Sequence, residues 1–348
     1  MKALGINAPI GSGDLPDHLR ELELPLPEPG KGEIRIRVRA TSINIDDIHI
    51  AEGTMIGGLP VTPKADANQP LVPGTDVAGI VDALGPGVQD IKVGARVLGV
   101  SRPSDPRGPW AEYCIVKAAD VAEIPEDLAF EAAAPLPLSG TVALNSIKSA
   151  GELRGKTCLV IGASGGIGTL CVQILNSMGA EVWTVNSSSK AALVKGLGAK
   201  RVLNRNVKPF DEQLREAGSK VDVVFDFVGG RDTERRALSI LKPGGKFITA
   251  VGPVAWIGEE KLGAWKIAGM FAYVARRMLF SRVFGGPTYT MRSFNKVDFA
   301  GIREFLIETG NRAVVEAVVP LERDAIRGAL KNVIAHKTAG RVVIDVAN

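Results

Sequence analysis

An apolar strand that runs into closely spaced glycines and then into a helix is a device for holding phosphate. The stretch Cys158 to Gly168, CLVIGASGGIG, has that form. Its glycines permit a tight turn and a close backbone approach. The N–H groups of the following helix, expected from about Ile167, then face an anion along the helix dipole. A second strand, AEVWTV, arrives at the spacing of a dinucleotide-binding unit. Ser164, Gly165, Gly166 and Ile167 are therefore expected to cradle a pyrophosphate.

The end of that second strand bears on which dinucleotide fits. An acidic residue there would bond a ribose 2′-hydroxyl. The chain reads WTVNSSSK instead. Asn186, Ser187 and Lys190, with Arg205 after the next strand, offer amide, hydroxyl and cationic donors suited to a 2′-phosphate. This favours NADPH over NADH. Lys190 also reads as an ordinary solvated lysine at a helix start.

The elements that must hold these residues differ along the chain. Up to about residue 125, segments such as GEIRIRVRATSIN alternate apolar and basic residues with the period of a half-buried strand. From Phe130, helices interrupted at Pro135 and Pro137 are expected, and then strands and helices alternate. That alternation predicts an α/β fold with a doubly wound parallel sheet. Its strands ending FDFVGG and TAVGP place Phe227, Val228, Val251 and Gly252 at carboxyl ends, where such sheets bind ligands. The last segment returns to strand, helix, strand. The expected division is a discontinuous β-rich domain, residues 1–128 and 292–348, around a nucleotide-binding domain, residues 129–291.

Composition narrows the class. A net charge of +4 over 348 residues gives no basic footprint for nucleic acid. Three scattered cysteines suggest a reducing compartment, and no signal peptide or long apolar run is visible, so a cytoplasmic location is expected.

The pieces SINIDD, VPGTDVAGIVDALGPGVQDIKVGARVLG, WAEYCIV, GASGGIG, LGAKRVLN, FDFVGG, LKPGGKFITAVG and TAGRVVIDV together resemble the medium-chain dehydrogenase/reductase superfamily over nearly the whole chain. The resemblance implies a GroES-like catalytic domain interrupted by a Rossmann domain, and a homodimer. Within the superfamily the chain looks like the zinc-independent quinone and enoyl or alkenal reductases, with the reticulon-interacting oxidoreductases as relatives. Zinc-dependent members carry a Cys where this chain has Ser42 to Asn44 and a His-Glu pair where it has Thr75-Asp76. Hydroxyls are poor ligands beside thiolate and imidazole, so no metal site is expected. Without a Lewis acid, an unactivated alcohol is hard to oxidise, whereas an enone or quinone can accept hydride while donors stabilise charge on its oxygen.

The resemblance also implies site residues. Asn44 and Asp47 match an N-x-x-D pattern at the active-site floor, although Asp47 reads equally as a helix cap. His49, two residues further on, offers an imidazole for proton donation or is a half-buried helix histidine. LPLSGTVALNSI resembles the helix beneath the nicotinamide, with Thr141 one residue early; Thr141 or Ser139 reaches the cofactor, or packs at a helix start. No tyrosine stands in an evident proton-donor position. The segment 261–286, apolar and basic, reads as a pocket cover, a dimer contact or a weak membrane-surface contact. The leading expectation is an NADPH-dependent reductase of a small electron-poor acceptor. The alternatives are a zinc-free alcohol or carbonyl dehydrogenase, and an NADPH-binding sensor with little turnover.

Overall fold

A computed structural model describes residues 1–53, 55–56, 59–60, 65–101, 105–253, 264–283, 286–292 and 296–347. Two large sheets organise it. The amino-terminal strands are β1 (Lys2–Gly5), β2 (Arg20–Glu23), β3 (Glu33–Ser42), β4 (Met55–Ile56), β5 (Leu59–Pro60), β6 (Asp76–Leu84), β7 (Arg96–Val100), β8 (Tyr113–Lys117) and β9 (Val121–Glu123). The parallel sheet comprises β10 (Thr157–Ile161), β11 (Glu181–Asn186), β12 (Arg201–Asn204), β13 (Val221–Asp226), β14 (Leu241–Thr249) and β15 (Thr288–Met291). The chain closes with β16 (Val315–Pro320) and β17 (Arg341–Asp345).

The first sheet has the order β16-β17-β3-β6-β7-β9, with β8 also paired to β3. All its pairings are antiparallel except β16 with β17. The alternation read in GEIRIRVRATSIN appears as Ile34, Ile36 and Val38, all buried in one core with Val77, Val81 and Cys114. The carboxyl-terminal strand β17 enters this sheet beside β3, with Val343 opposite Ser42.

The second sheet is wholly parallel, in the order β12-β11-β10-β13-β14-β15. This is the doubly wound order, with its switch point between β10 and β13. Helix α5 (Gly166–Ser177) follows β10 and buries Leu170, Val172, Ile174 and Leu175. Each such side chain contributes about 1.5–3 kcal/mol through lost water contact. The first turn of α5 opens at Gly166, one residue before the position expected from sequence.

Helix α4 (Leu136–Ala150) lies between the sheets and is buried nearly all round. A short helix, Phe130–Ala133, ends just before Pro135, as expected, whereas Pro137 does not break α4. Pro135 is its N-cap and Pro137 sits in its first turn, where a missing N–H leaves no hydrogen bond unmade. That placement carries the amino-terminal end of α4 to the junction where β6, β17 and the glycine turn also meet.

Candidate functional site

The glycine turn is built by backbone necessity. Gly162 has φ +80°, in the left-handed region, and its carbonyl accepts from Gly165 N at 3.1 Å. A Cβ on Gly168 would collide with the Gly162 carbonyl, and one on Gly166 with the Arg341 guanidinium. The start of β17 is laced to this turn, with Gly340 N donating to Ser164 O at 2.7 Å. The next residue, Arg341, donates from Nε and Nη2 to Ser139 Oγ of α4 at 3.0 and 2.7 Å. Burial lowers the Arg341 pKa, against the pull of Asp76, Asp46 and Asp47. A guanidinium thus stands enclosed beside the helix amino terminus, doubling its preference for an anion. In the motif TAGRVVIDV, Arg341 has no evident role from its neighbours in the chain. The contact spans more than 170 residues, so no local pattern announces it.

The residues expected at the sugar end are partly gathered. Asn186 ends β11 buried, and its Oδ1 has no hydrogen-bond partner. Ser187 and Ser189 hydroxyls pair at 3.0 Å, and Asn204 Nδ2 donates to Ser188 Oγ at 2.7 Å. Beside them lies a cavity of about 450 Å³ lined by Ser187, Ser188, Lys195, Lys200, Arg201 and Asn204. Three cations and no carboxylate face it. Lys190 is elsewhere: its ammonium reaches the Lys337 carbonyl at 3.2 Å and lies 4.0 Å from Glu316. Arg205 is exposed, holding only its backbone N–H on the Asn186 carbonyl. Lys195, Lys200 and Arg201 line the cavity from the next helix and strand, with Arg201 opposite Trp183 and so nearer the start of β11 than Asn186 is. Their signal was the basic run VKGLGAKR.

These features fit a phosphorylated dinucleotide. Gly165 and Gly166 leave room for a pyrophosphate, with Arg341 beside it. The orphaned Asn186 Oδ1 suits a ribose hydroxyl, and the cationic cavity suits a 2′-phosphate. Val228, 45% exposed, packs beside Gly162 and offers an apolar wall. Its loop is pinned by Asp226, whose Oδ1 accepts from Val228 N and Gly229 N at 3.0 Å. The following loop is held by Gly252 N on Thr249 Oγ1 at 2.9 Å and by Gly230 N on Gly252 O. Phe227 and Val251 are half-buried in these loops.

The expected catalytic floor is a buried polar junction. Thr75 Oγ1 donates to Asp47 Oδ1 at 2.6 Å, and Asn44 N donates to Asp47 Oδ2 at 2.8 Å. Asp47 thereby closes the back of a capping box on α2 (Ile45–Ala51). Asn44 Nδ2 donates to Asp76 Oδ2 and Ser42 Oγ at 2.9 and 3.2 Å, while its Oδ1 has no partner. Asp76 also accepts from Ser42 Oγ and from Leu138 N of α4. Burial pushes the Asp47 carboxyl up to about 8, although Thr75 and Asn44 pull it down. Burial likewise raises Asp76 to about 6.

At two of the expected positions the geometry gives a structural role. His49 is 5% exposed, and desolvation lowers its pKa to about 4. Burial thus holds the imidazole neutral at pH 7, which fits the helix-histidine reading. Thr141 is fully buried, and its Oγ1 accepts from Asp298 N at 3.1 Å. It ties α4 to the chain before α10 (Phe299–Ile302), and Ser139 is the α4 hydroxyl that reaches the junction. A larger groove of about 580 Å³, lined by Met1, Leu24, Arg107 and Tyr113 among others, shares none of these site residues.

Comparison with known proteins agrees with this anatomy. A model described as the alcohol dehydrogenase GroES-like domain matches residues 30–126, and one described as zinc-binding dehydrogenase matches residues 166–267. The residues do not fit the metal in that second name. Hydroxyl and amide groups stand at the junction, its two carboxyls are already engaged, and among the described residues no three His, Cys, Asp or Glu gather as a ligand set. The NAD(P)H oxidoreductase RTN4IP1 of Danio rerio is 34% identical over 53% of this chain and 49% of its own. The 2-methylene-furan-3-one reductase of Solanum lycopersicum is 34% identical over 54% and 49%. The chain thus spans about half the length of these curated relatives. The solved Escherichia coli quinone oxidoreductase complexed with NADPH superposes with a TM-score of 0.78 at 25% identity, over 99% of this chain and 100% of that one. With both domain models matched and the fold shared end to end, the chain belongs to the medium-chain dehydrogenase/reductase superfamily of oxidoreductases.

Proposed function

We propose that the protein is an NADPH-dependent reductase that hands hydride to an electron-poor acceptor, a conjugated C=C or a quinone, without a metal ion. The observation that carries this reading is the clasp of the glycine turn by Arg341, with a cation-lined cavity beside Ser187. One enclosed guanidinium and the α5 amino terminus would hold the pyrophosphate. The hydroxyls and cations around Ser187 and Lys195 would hold the 2′-phosphate. NADPH, when bound, supplies the hydride from its nicotinamide.

The junction's chemistry suits an acceptor that is already polarised. Its groups are hydroxyls, an amide and carboxyls, none able to replace a Lewis acid for alcohol oxidation. Asp47, bonded by Thr75 and raised to about 8, and Asp76, raised to about 6, are the groups there that can exchange a proton near neutrality. The tomato relative is named for reducing a conjugated enone, and the Escherichia coli neighbour is named for quinones. Both names support the same acceptor class.

The test is NADPH oxidation by the dialysed protein with quinones, 2-alkenals, enones, enoyl thioesters and simple aldehydes, alongside elemental analysis. Turnover of enones or quinones by metal-free protein is expected. Turnover confined to simple aldehydes would replace this reading with a carbonyl reductase. Tight NADPH binding with no turnover would leave a sensor, and stoichiometric zinc would overturn the metal-free step.

A further inference from the structure

Helix α9 (Ala264–Val283) crosses between β14 and β15 and contains no Asp or Glu in 20 residues. Residues 261–263 and 284–286 of the apolar and basic segment flank it, and 261–263 and 284–285 lie outside the described residues. One face of α9 is anchored. Val274 and Met278 pack on a core containing Phe247 and Tyr289. Tyr273 Oη and Arg277 Nε donate to the buried Glu234 Oε1 at 3.0 and 2.9 Å.

The opposite face is apolar and faces solvent. Trp265 is 90% exposed, Leu279 63% and Val283 62%, with Phe280 about half exposed and Arg276 among them, while Phe271, also about half exposed, lies at the edge beside Met278. Half of the exposed large hydrophobic side chains among the described residues lie on this one helix. At about 1.5 Å per residue the strip runs roughly 30 Å from Trp265 to Val283. A continuous patch of that kind marks a contact surface.

Charge selects the occupant. The sequence of α9 carries Lys266, Arg276, Arg277 and Arg282 and no acid; among the described side chains Arg276 is exposed and Arg277 pairs with Glu234. Packing this face on the same face of a second copy would set cations against cations, with no acid on the helix to pair them. The helix is not long and apolar enough to cross a membrane. Aromatic and aliphatic residues on one side, with arginine and lysine and no acid, suit a helix lying in a lipid headgroup layer. We propose that α9 seats flat on an anionic bilayer surface, with Trp265, Leu279, Phe280 and Val283 in the headgroup boundary and Arg276 on lipid phosphates and carboxylates. This inference is independent of the reductase reading.

The test is flotation of the full chain with phosphatidylcholine vesicles, with and without phosphatidylserine. Flotation with the serine lipid and far less without it is expected, weakening at high salt. The exposed substitution Arg276→Glu should reduce it by about five-fold or more, the effect of removing a cation from an anionic surface. Trp265→Ser with Leu279→Ser should abolish it while thermal unfolding stays as in the wild type. Absence of flotation, or equal flotation on both lipids, overturns the proposal. A solution dimer dissolved by the double variant, with no vesicle binding, overturns it in favour of a protein interface.

Discussion

The phosphate turn and the acidic junction lie side by side, yet they are built in opposite ways. The turn is a contiguous run of residues whose shape follows from missing side chains. The junction is assembled from β3, α2, the start of β6, the first turn of α4 and β17, and its behaviour follows from enclosed charge. Arg341 joins them, touching Gly166 on one side and drawing on Asp46, Asp47 and Asp76 on the other. The contrast teaches that a binding site written into local geometry tolerates little change of shape, whereas one written into buried charge responds to pH.

The sharpest way to break this comparison is to remove the shared residue. Arg341→Met leaves the buried Asp47 and Asp76 carboxyls without the attraction of a nearby cation and should cost about 1–3 kcal/mol at pH 8, the range for leaving buried polar groups uncompensated. The sign is set by raised carboxyl pKa values: the ionised forms destabilise the fold as pH rises, so the loss should be smaller at pH 5. Denaturant melts at both pH values measure it. The same variant should bind NADPH and NADH about 10–100-fold more weakly, since a charge-assisted contact to a shared pyrophosphate is lost. A loss confined to NADPH would move Arg341 to the sugar end.

His49 tests the charge side alone. Its folded pKa, about 4, lies below the ordinary 6.5, so its contribution is present above pH 6.5 and disappears as pH falls through 4. His49→Gln should flatten the acid loss of stability by up to about 3 kcal/mol between those values, while leaving the pH dependence of turnover in place. A vanished acidic limb of the rate profile would restore His49 as a catalytic group.

Gly168→Ala tests the shape side. Its Cβ meets the Gly162 carbonyl and the Ala163 backbone, which cannot swing aside. A stability loss of about 1–3 kcal/mol is expected, the range for forced overpacking, with dinucleotide binding weakened at every pH. A pH-dependent loss would contradict the division between the two regions.

The smallest effect should come from the cavity beside Ser187. Lys195→Ala or Lys200→Ala should weaken NADPH about ten-fold relative to NADH in competition binding, because only the former carries the 2′-phosphate. Lys190→Ala should discriminate less, since its ammonium is held by Lys337 O.

What the amino-acid sequence determined by itself was whatever neighbours in the chain decide. The strand, glycines and helix from Cys158 to Ser177 and the missing carboxylate at Asn186 were legible because backbone sterics and helix-end dipoles act within a few residues. Only the tertiary structure decided which side chains share an enclosure. It set Arg341 against a turn far back in the chain, gave Ser139 rather than Thr141 the reach into the junction, and stripped water from His49 and Asp47. Desolvation and through-space charge depend on where the chain returns in three dimensions, and no local spacing of residues encodes that return.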